Sequence, residues 1–424
     1  MRKALGTLVG KSVAGAVKLR GRGGGQALPG LVVEKAVPGY LAAMLKQLPN
    51  GVVIITGTNG KTTTTKMVVE LLQAGGKRVL TNPTGSNLTR GIISSVSQQA
   101  KKSGKLLFDI AVFELDEAYA SYFTRLFRPH WVLGLNASRD QLDRFGEVDA
   151  IARLIGDTML AATTGIVTNA DDKRLSALAA QAPVAAVVYY GVAPELLSYF
   201  PRDDELVSVD PQKATIAAAD VPLDVWLKSF HETTAVYEIE GTEYPGQLQV
   251  TGQHNFQNAA AALALVHRLL PDTPPERLLE WLGHVGPAFG RGQVYRLKNG
   301  SSLQLALVKN PASFRQGLAS YLTPDAQVMI AINDRVADSR DMSWLWDIDF
   351  TPLQSSSVRT AGTRAVDMAL RLQYDDIAAE TIEPDLEKAL ARFAVETGDK
   401  VIFATYTAML RLHALLEKGA GKDL

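Results

Sequence analysis

The sequence predicts an α/β protein of two domains, and three observations carry that prediction. Short apolar runs recur from about residue 50, each followed by a polar turn and then by helical periodicity. Most of these runs end in Asn, Asp or Glu, as in a doubly wound parallel sheet that gathers its polar groups beyond the carboxyl ends of its strands. At 424 residues the chain exceeds one ordinary core, and a Gly-rich stretch at 283–292 separates two such patterns. The expectation is a basic N-terminal arm over 1–45, then a mostly parallel sheet with a small antiparallel insertion over 46–290. A second, Rossmann-like α/β domain follows over 291–424.

In the arm, Arg2, Lys3, Lys11, Lys18, Arg20 and Arg22 all precede the first acidic residue, Glu34. The plainer reading is a solvated, mobile terminus; the other is an arm held against anionic lipid or a phosphorylated substrate. The first strand, "GVVIIT", feeds "GTNGKTTT" at 57–64 and then a helix bearing Met67, Val68, Leu71 and Leu72 on one face. A strand, a glycine turn and a helix N-terminus present backbone amides to an anion, and lysine adds mobile positive charge. The phosphate-binding candidates are therefore Gly57, Thr58, Asn59, Gly60, Lys61, Thr62 and Thr63. The common spacing puts a further glycine where this chain has Ile55, so the loop is a shorter version. Lys61 should reach the outer phosphates, and Thr62 should offer its hydroxyl to Mg²⁺.

Asn87 follows "KRVLTN" and is a crevice candidate. "FDIAVFEL" ends in Glu114, the choice for a second Mg²⁺ ligand; for Asp116 and Glu117, function and helix capping weigh equally. "HWVLGLN" leads into "NASRDQLDRFGE", whose Asn136, Arg139, Asp140 and Asp143 fall at the crevice end of a strand. "TGIVTNADD" repeats the theme. Residues 190–250 alternate apolar and polar between Pro, Asp and Gly clusters, which predicts an antiparallel insertion or edge hairpin. The long helix "NFQNAAAALALVHRLL" follows, and the second pattern holds the strands "AQVMIAIND" and "DKVIFATYT".

Composition narrows the function classes. The 44 basic and 44 acidic residues balance, so no global charge calls for nucleic acid. No stretch reaches the 18 or more apolar residues of a membrane span, and the N-terminus lacks a signal-peptide plan, which makes the cytoplasm the expectation. The chain has no cysteine. That excludes disulfides, thiolate zinc sites and cysteine nucleophiles together.

"TGTNGKTTT", the strand ending in Glu114, "NADD" at 169–172, "GQHNFQNAAAA" at 252–262 and "FGRG" at 289–292 occur in the order found in the Mur ligases and folylpolyglutamate synthases. The chain resembles that family, whose members use the shorter phosphate loop. The resemblance implies a central ATP-binding domain and ligation through an acyl phosphate with ATP and Mg²⁺. It also implies that Asn255, with His254 and Asn258 nearby, lies by the adenine and that Arg291 meets the phosphates from the domain junction. "GRGGGQALPG", "RDQLDRFGE", "LVKNPASF" (with Asn310), "INDRVADSRDMSWLWD" and "TYTAML" look like its MurT-type branch, whose substrate is similar to lipid II. That branch implies amidation of a stem D-glutamate α-carboxyl, in the cytoplasm or at the inner face of the cell membrane through its substrate.

Amidation needs ammonia, which a cysteine-free chain cannot release from glutamine by class I glutaminase chemistry. The branch pairs with a GatD-type glutaminase, whose histidine an aspartate of the ligase is proposed to orient. "SRDMSWLWDIDF" offers Asp347 first, Asp349 second and Asp341 third, while its tryptophans fit an interface or a half-buried strand. Fewer than fifty residues precede the first strand, too few for the UDP-sugar domain of the amino-acid-adding enzymes, and two features depart from the branch itself. Region 190–250 cannot hold the zinc ribbon common in the branch, and Arg335 and Ser339 stand where asparagine and glycine are usual. The alternative function is an amino-acid-adding or folylpolyglutamate-synthase-like ligase without a glutaminase partner.

Overall fold

The computed structural model describes residues 1–19, 27–82, 87–138, 148–200, 223–250, 252–287, 291–323 and 326–419. Three helices open the chain: α1 (Arg2–Leu19), α2 (Leu28–Ala36) and α3 (Tyr40–Leu45). Strands and helices then alternate as β1 (Val52–Thr56), α4 (Lys61–Ala74), β2 (Val79–Thr81), α5 (Thr89–Gln99), β3 (Ile110–Glu114) and α6 (Glu117–Leu126). Next come β4 (Trp131–Gly134), α7 (Val148–Leu160), β5 (Gly165–Asn169), α8 (Lys173–Ala179) and β6 (Ala186–Val192). A meander of β7 (Val225–His231), β8 (Thr234–Ile239) and β9 (Thr242–Gln247) leads to α9 (His254–Leu269) and α10 (Pro275–Leu282). The second unit runs β10 (Arg291–Arg296), β11 (Ser302–Leu307), α11 (Pro311–Tyr321), β12 (Gln327–Ala331), β13 (Val358–Ala361) and α12 (Ala365–Gln373). It ends with β14 (Thr381–Glu383), α13 (Leu386–Val395), β15 (Lys400–Ala404) and α14 (Tyr406–Gly419).

Nine strands form the first sheet in the order β2-β3-β1-β4-β5-β6-β7-β8-β9, and six form the second, β10-β11-β15-β12-β13-β14. From β2 to β7 the first sheet is parallel, and only the meander is antiparallel. All five residues of β1 are buried. Val53 and Ile55 pack with Met67, Val68 and Leu71 of α4, while Val52 and Ile54 face the other layer with Ile92 and Phe123. A strand covered on both faces needs a continuous apolar run, and that accounts for Ile55. It is still within β1, paired with Glu114 and Leu133, so a β-branched residue suits it and the loop starts only at Gly57. The chain leaves β1 toward β2 and leaves β4 toward β5, in opposite directions, so the crevice opens between β1 and β4.

The basic arm expected over 1–45 is not an arm. Its described residues form α1–α3, packed on each other and on α5, with Val33, Tyr40, Leu41, Met44 and Leu45 buried in the core. The reading of a mobile terminus counted charges and missed that Gly6 and Gly10 permit close helix contact. In the insertion, Leu227, Tyr237 and Ile239 are buried, and Phe230 stacks on Phe256 of α9 at 5.0 Å. The meander is thus stabilised by packing. "SWLWD" is also not a strand: Ser343–Asp347 is a 3-10 helix that buries Trp344 and leaves Trp346 51% exposed. Asp341 and Asp349 favour such turns, each accepting a backbone N–H two residues on, from Ser343 at 2.8 Å and Thr351 at 2.9 Å. Among the described residues, no helix is long and apolar enough to cross a membrane.

Candidate functional site

The loop after β1 is held open by its neighbours. Gly57 has φ 138° and Gly60 φ 84°, values that only glycine adopts without strain. Space demands glycine as well: a Cβ at Gly60 would lie 2.3 Å from Asn258 Oδ1. Asn136, at the end of β4, brackets Asn59. Its Oδ1 accepts the Asn59 N–H at 2.9 Å, its Nδ2 donates to the Asn59 carbonyl at 3.1 Å, and its own carbonyl accepts Thr58 N–H at 2.9 Å. The second unit also reaches the loop. Lys309 Nζ donates to Thr58 O at 2.9 Å, and Asn310 Nδ2 donates to Asn59 Oδ1 at 3.1 Å. Asn310 is positioned by its role as the cap of α11, accepting Ser313 N–H at 2.8 Å.

Lys61 begins α4 and is buried. Its ammonium donates to the carbonyls of Gly57 and Thr58 and pairs with Glu117 at 3.2 Å, a carboxylate that is also buried. Glu117 therefore holds the lysine at the loop. Thr62 donates its hydroxyl to Glu114 Oε1 at 2.9 Å. The β1–β3 register sets Glu114 beside Ile55, and Asn82 locks it there, bonding both its N–H at 3.0 Å and its carbonyl at 2.9 Å. Two buried oxygen donors at a helix N-terminus suit Mg²⁺, a hard cation that keeps phosphate and water oxygens in its remaining positions.

The other candidates divide. Asn255 and Asn258 are joined at 3.1 Å at the start of α9, with Asn258 against Gly60. His254 meets the ring of Tyr321 edge-on at 6.5 Å across the junction of the two units. Asn59, Gly60, His254, Lys309, Gln316 and Tyr321 line one cleft there. Asn87 offers its carbonyl to Asp116 N–H at 3.1 Å, near the end of β3. In "NADD", Asp172 caps α8 and accepts Ala137 N–H at 2.7 Å, while Asp171 accepts Val192 N–H at 3.0 Å; both acids tie strand ends together. Arg291 opens β10, and its side chain lies outside the described residues, as do Arg139, Asp140 and Asp143 altogether. Asp347 and Asp349 sit far along the second unit in and beside the 3-10 helix, both exposed.

Sequence reasoning missed Asn82 and Lys309. Lys309 had a signal, since it adjoins Asn310 in "LVKNPASF". Asn82 had only its place as the polar end of "KRVLTN", because a strand-end asparagine reads alike whether it faces a ligand or a neighbouring backbone.

A family model described as Mur ligase middle domain matches residues 55–266, and one described as MurT ligase C-terminal matches residues 307–409. The Streptococcus pneumoniae protein named lipid II isoglutaminyl synthase (glutamine-hydrolyzing) subunit MurT is 29% identical over 98% of this chain and 97% of its own length. Its Staphylococcus aureus namesake is 28% identical over 91% of each. Among solved structures, MurF from Acinetobacter baumannii superposes with a TM-score of 0.67 at 18% identity, covering 92% of this chain and 81% of that one. MurF ligase from Thermotoga maritima, solved in complex with ADP, gives 0.67 at 18% identity over 92% and 85%. At these identities the likeness to solved structures is one of fold.

Proposed function

The chain belongs to the Mur ligase family, and from that premise we propose that it is the ATP-dependent ligase subunit of a glutamine-dependent amidotransferase. Its substrate in this reading is the D-glutamate α-carboxyl of a peptidoglycan stem peptide on lipid II, converted to D-isoglutamine. The observation that carries the chemistry is the set Lys61, Thr62 and Glu114 at one helix N-terminus beside an amide-lined loop. What favours amidation over amino-acid addition is the match of 307–409 to the MurT-type C-terminal model, together with relatives named glutamine-hydrolyzing in a chain with no cysteine.

A carboxylate oxygen attacks the γ-phosphorus of ATP, and ADP leaves with the electron pair of the broken P–O bond. Ammonia then attacks the acyl carbon, inorganic phosphate leaves, and the nitrogen loses a proton. Lys61 offsets charge on the outer phosphate oxygens, and the backbone amides from Gly60 into the start of α4 hold the phosphates in line. Thr62 and Glu114 would hold Mg²⁺, and such a cation would supply positive charge that neutralises part of the phosphate charge. Lys309 and Asn310 close the second unit on the loop and exclude water, which would otherwise hydrolyse the acyl phosphate.

The ammonia source is a GatD-type glutaminase. A surface of the second unit fits a partner: Val366, Leu370 and Tyr374 form an exposed i, i+4, i+8 stripe on and just past α12, and Tyr374 packs on Trp346 at 5.0 Å. Asp347 directly follows Trp346 on that surface, with its side chain exposed, and this proximity ranks it first for orienting the partner's histidine, ahead of Asp349 and Asp341. The test supplies purified chain, ATP and Mg²⁺ with lipid II or its soluble precursor, and compares ammonium, glutamine, glutamine plus a class I glutaminase, and single amino acids. Amide from ammonium, and from glutamine only with the partner, is the expected result; amino-acid incorporation without a partner overturns the reading.

A further inference from the structure

Helix α1 is amphipathic in the opposite sense to a helix that merely completes a core. It packs on α2, α3 and α5 through small residues, its buried positions being Gly6, Thr7 and Gly10. A Cβ at Gly6 would lie 2.2 Å from the Tyr40 ring and one at Gly10 2.3 Å from Ser97 Oγ, while the Thr7 and Tyr40 hydroxyls share a 2.8 Å hydrogen bond. The leucines point outward. Leu5, Leu8 and Leu19 are 55%, 46% and 91% exposed. At about 100° per residue they share one outer face with Ser12, Gly15 and Ala16, a face without charge. Lys11 and Lys18 border it on one side and Arg2 on the other. The first acid in the chain, Glu34, is already engaged by Arg90 at 3.0 Å and the Tyr122 hydroxyl at 2.8 Å.

A second segment lies against the start of this helix. In the loop "KKSGKLL" at 101–107, Gly104 approaches so closely that a Cβ there would sit 2.5 Å from the Lys3 carbonyl carbon. Lys101, Lys102 and Lys105 are exposed around it, and so is Leu107. Neither segment carries a carboxylate.

We propose that α1 and the 101–107 loop form a membrane-docking element, which lays the Leu5, Leu8 and Leu19 face into the headgroup layer of an anionic bilayer and sets the lysines on lipid phosphates. Apolar area alone would also suit a second copy of this chain. The charge decides against that occupant: two such cationic faces repel, whereas a surface of lipid phosphate complements them. Docking is independent of the chemistry at Lys61 and stands or falls separately from it.

Flotation of the full chain with vesicles of phosphatidylglycerol and phosphatidylcholine, against phosphatidylcholine alone, tests the proposal. Binding should require the anionic lipid, weaken with salt, and fall on the order of tenfold in Leu5→Glu/Leu8→Glu. Both leucines are exposed, so the variant should keep the wild-type melting temperature; should it melt lower, Lys101→Gln/Lys102→Gln/Lys105→Gln tests the same surface. Absence of flotation, equal binding to both vesicle types, or binding that both variants leave unchanged overturns it. So does a dimer in light scattering that Leu5→Glu/Leu8→Glu splits.

Discussion

Two loops leave the carboxyl ends of central strands, one after β1 and one after β12, and they are anchored by opposite chemistry. The β1 loop rests on neutral amides, those of Asn136, Asn258 and Asn310, with the cations of Lys61 and Lys309 beside it. The β12 loop is nailed by a carboxylate. Asp338 is buried and accepts from Thr407 N at 2.7 Å, Thr407 Oγ1 at 2.5 Å and Arg335 N at 3.2 Å, and burial raises its pKa above the ordinary carboxylate value. The lesson concerns charge. Under the proposed function, the β1 loop receives phosphate, and the carboxylate nearest it, Glu117, is neutralised by the Lys61 ammonium, whereas the β12 loop hangs on a carboxylate directly.

The largest test of this contrast is Lys61→Met. Turnover measured as ADP release should fall on the order of 10²-fold or more, as when a charge-stabilising donor is removed. The same change strands the buried Glu117 and should lower the melting temperature. Adding Glu117→Gln should restore melting and leave turnover low; joint recovery of both would mean that Lys61 is structural only. Asn136→Ala comes next. It removes two hydrogen bonds to Asn59, so KM for ATP should rise on the order of tenfold with a smaller loss of kcat, and an unchanged KM would show that the loop needs no bracket.

Asp338→Asn sharpens the other side. Because the folded carboxyl binds its proton more tightly than the unfolded one, the stability tied to that proton is full below about pH 4 and is lost as pH rises through the folded pKa. Wild type should therefore lose urea resistance over that rise relative to the Asn variant, and parallel slopes from pH 4 to 7 would break the claim. The smallest effect is expected at Ser339, which holds φ 72°. Ser339→Gly should stabilise by about 1 kcal/mol, read as a shift in the urea midpoint, since a non-glycine residue is strained there.

That last residue shows what the sequence could and could not reveal. Serine where the branch carries glycine is visible in the chain, and the cost of it is visible only in the dihedral. The strand β1, its loop and Glu114 were legible because a doubly covered strand writes a continuous apolar run and the loop follows immediately. Asn136 was legible as a crevice residue, but its task of bracketing Asn59 depends on which of two directions an amide faces. The packing of helix α1 was not legible, since it buries glycine and threonine and exposes leucine, inverting the pattern by which a packed helix is recognised. "SWLWD" misled for a related reason: tryptophans two apart fit an extended strand and a 3-10 turn equally, and the flanking aspartates suit a turn and a partner's histidine alike.

Helix α9 begins at the asparagines beside Gly60. Along it Ala259, Ala260, Ala261 and Ala262 are consecutive and each fully buried, so every azimuth of that turn is in contact and the helix has no direction in which to roll. Phe256, one turn earlier, is stacked on the meander through Phe230. The meander therefore fixes the same end of the helix that carries Asn258: an insertion in β7 that moved Phe230 would be read at Asn258 as a change in clearance over Gly60. Length variation should accumulate in the turns between its strands, and substitution at the four alanines should be confined to residues no larger than a methyl allows.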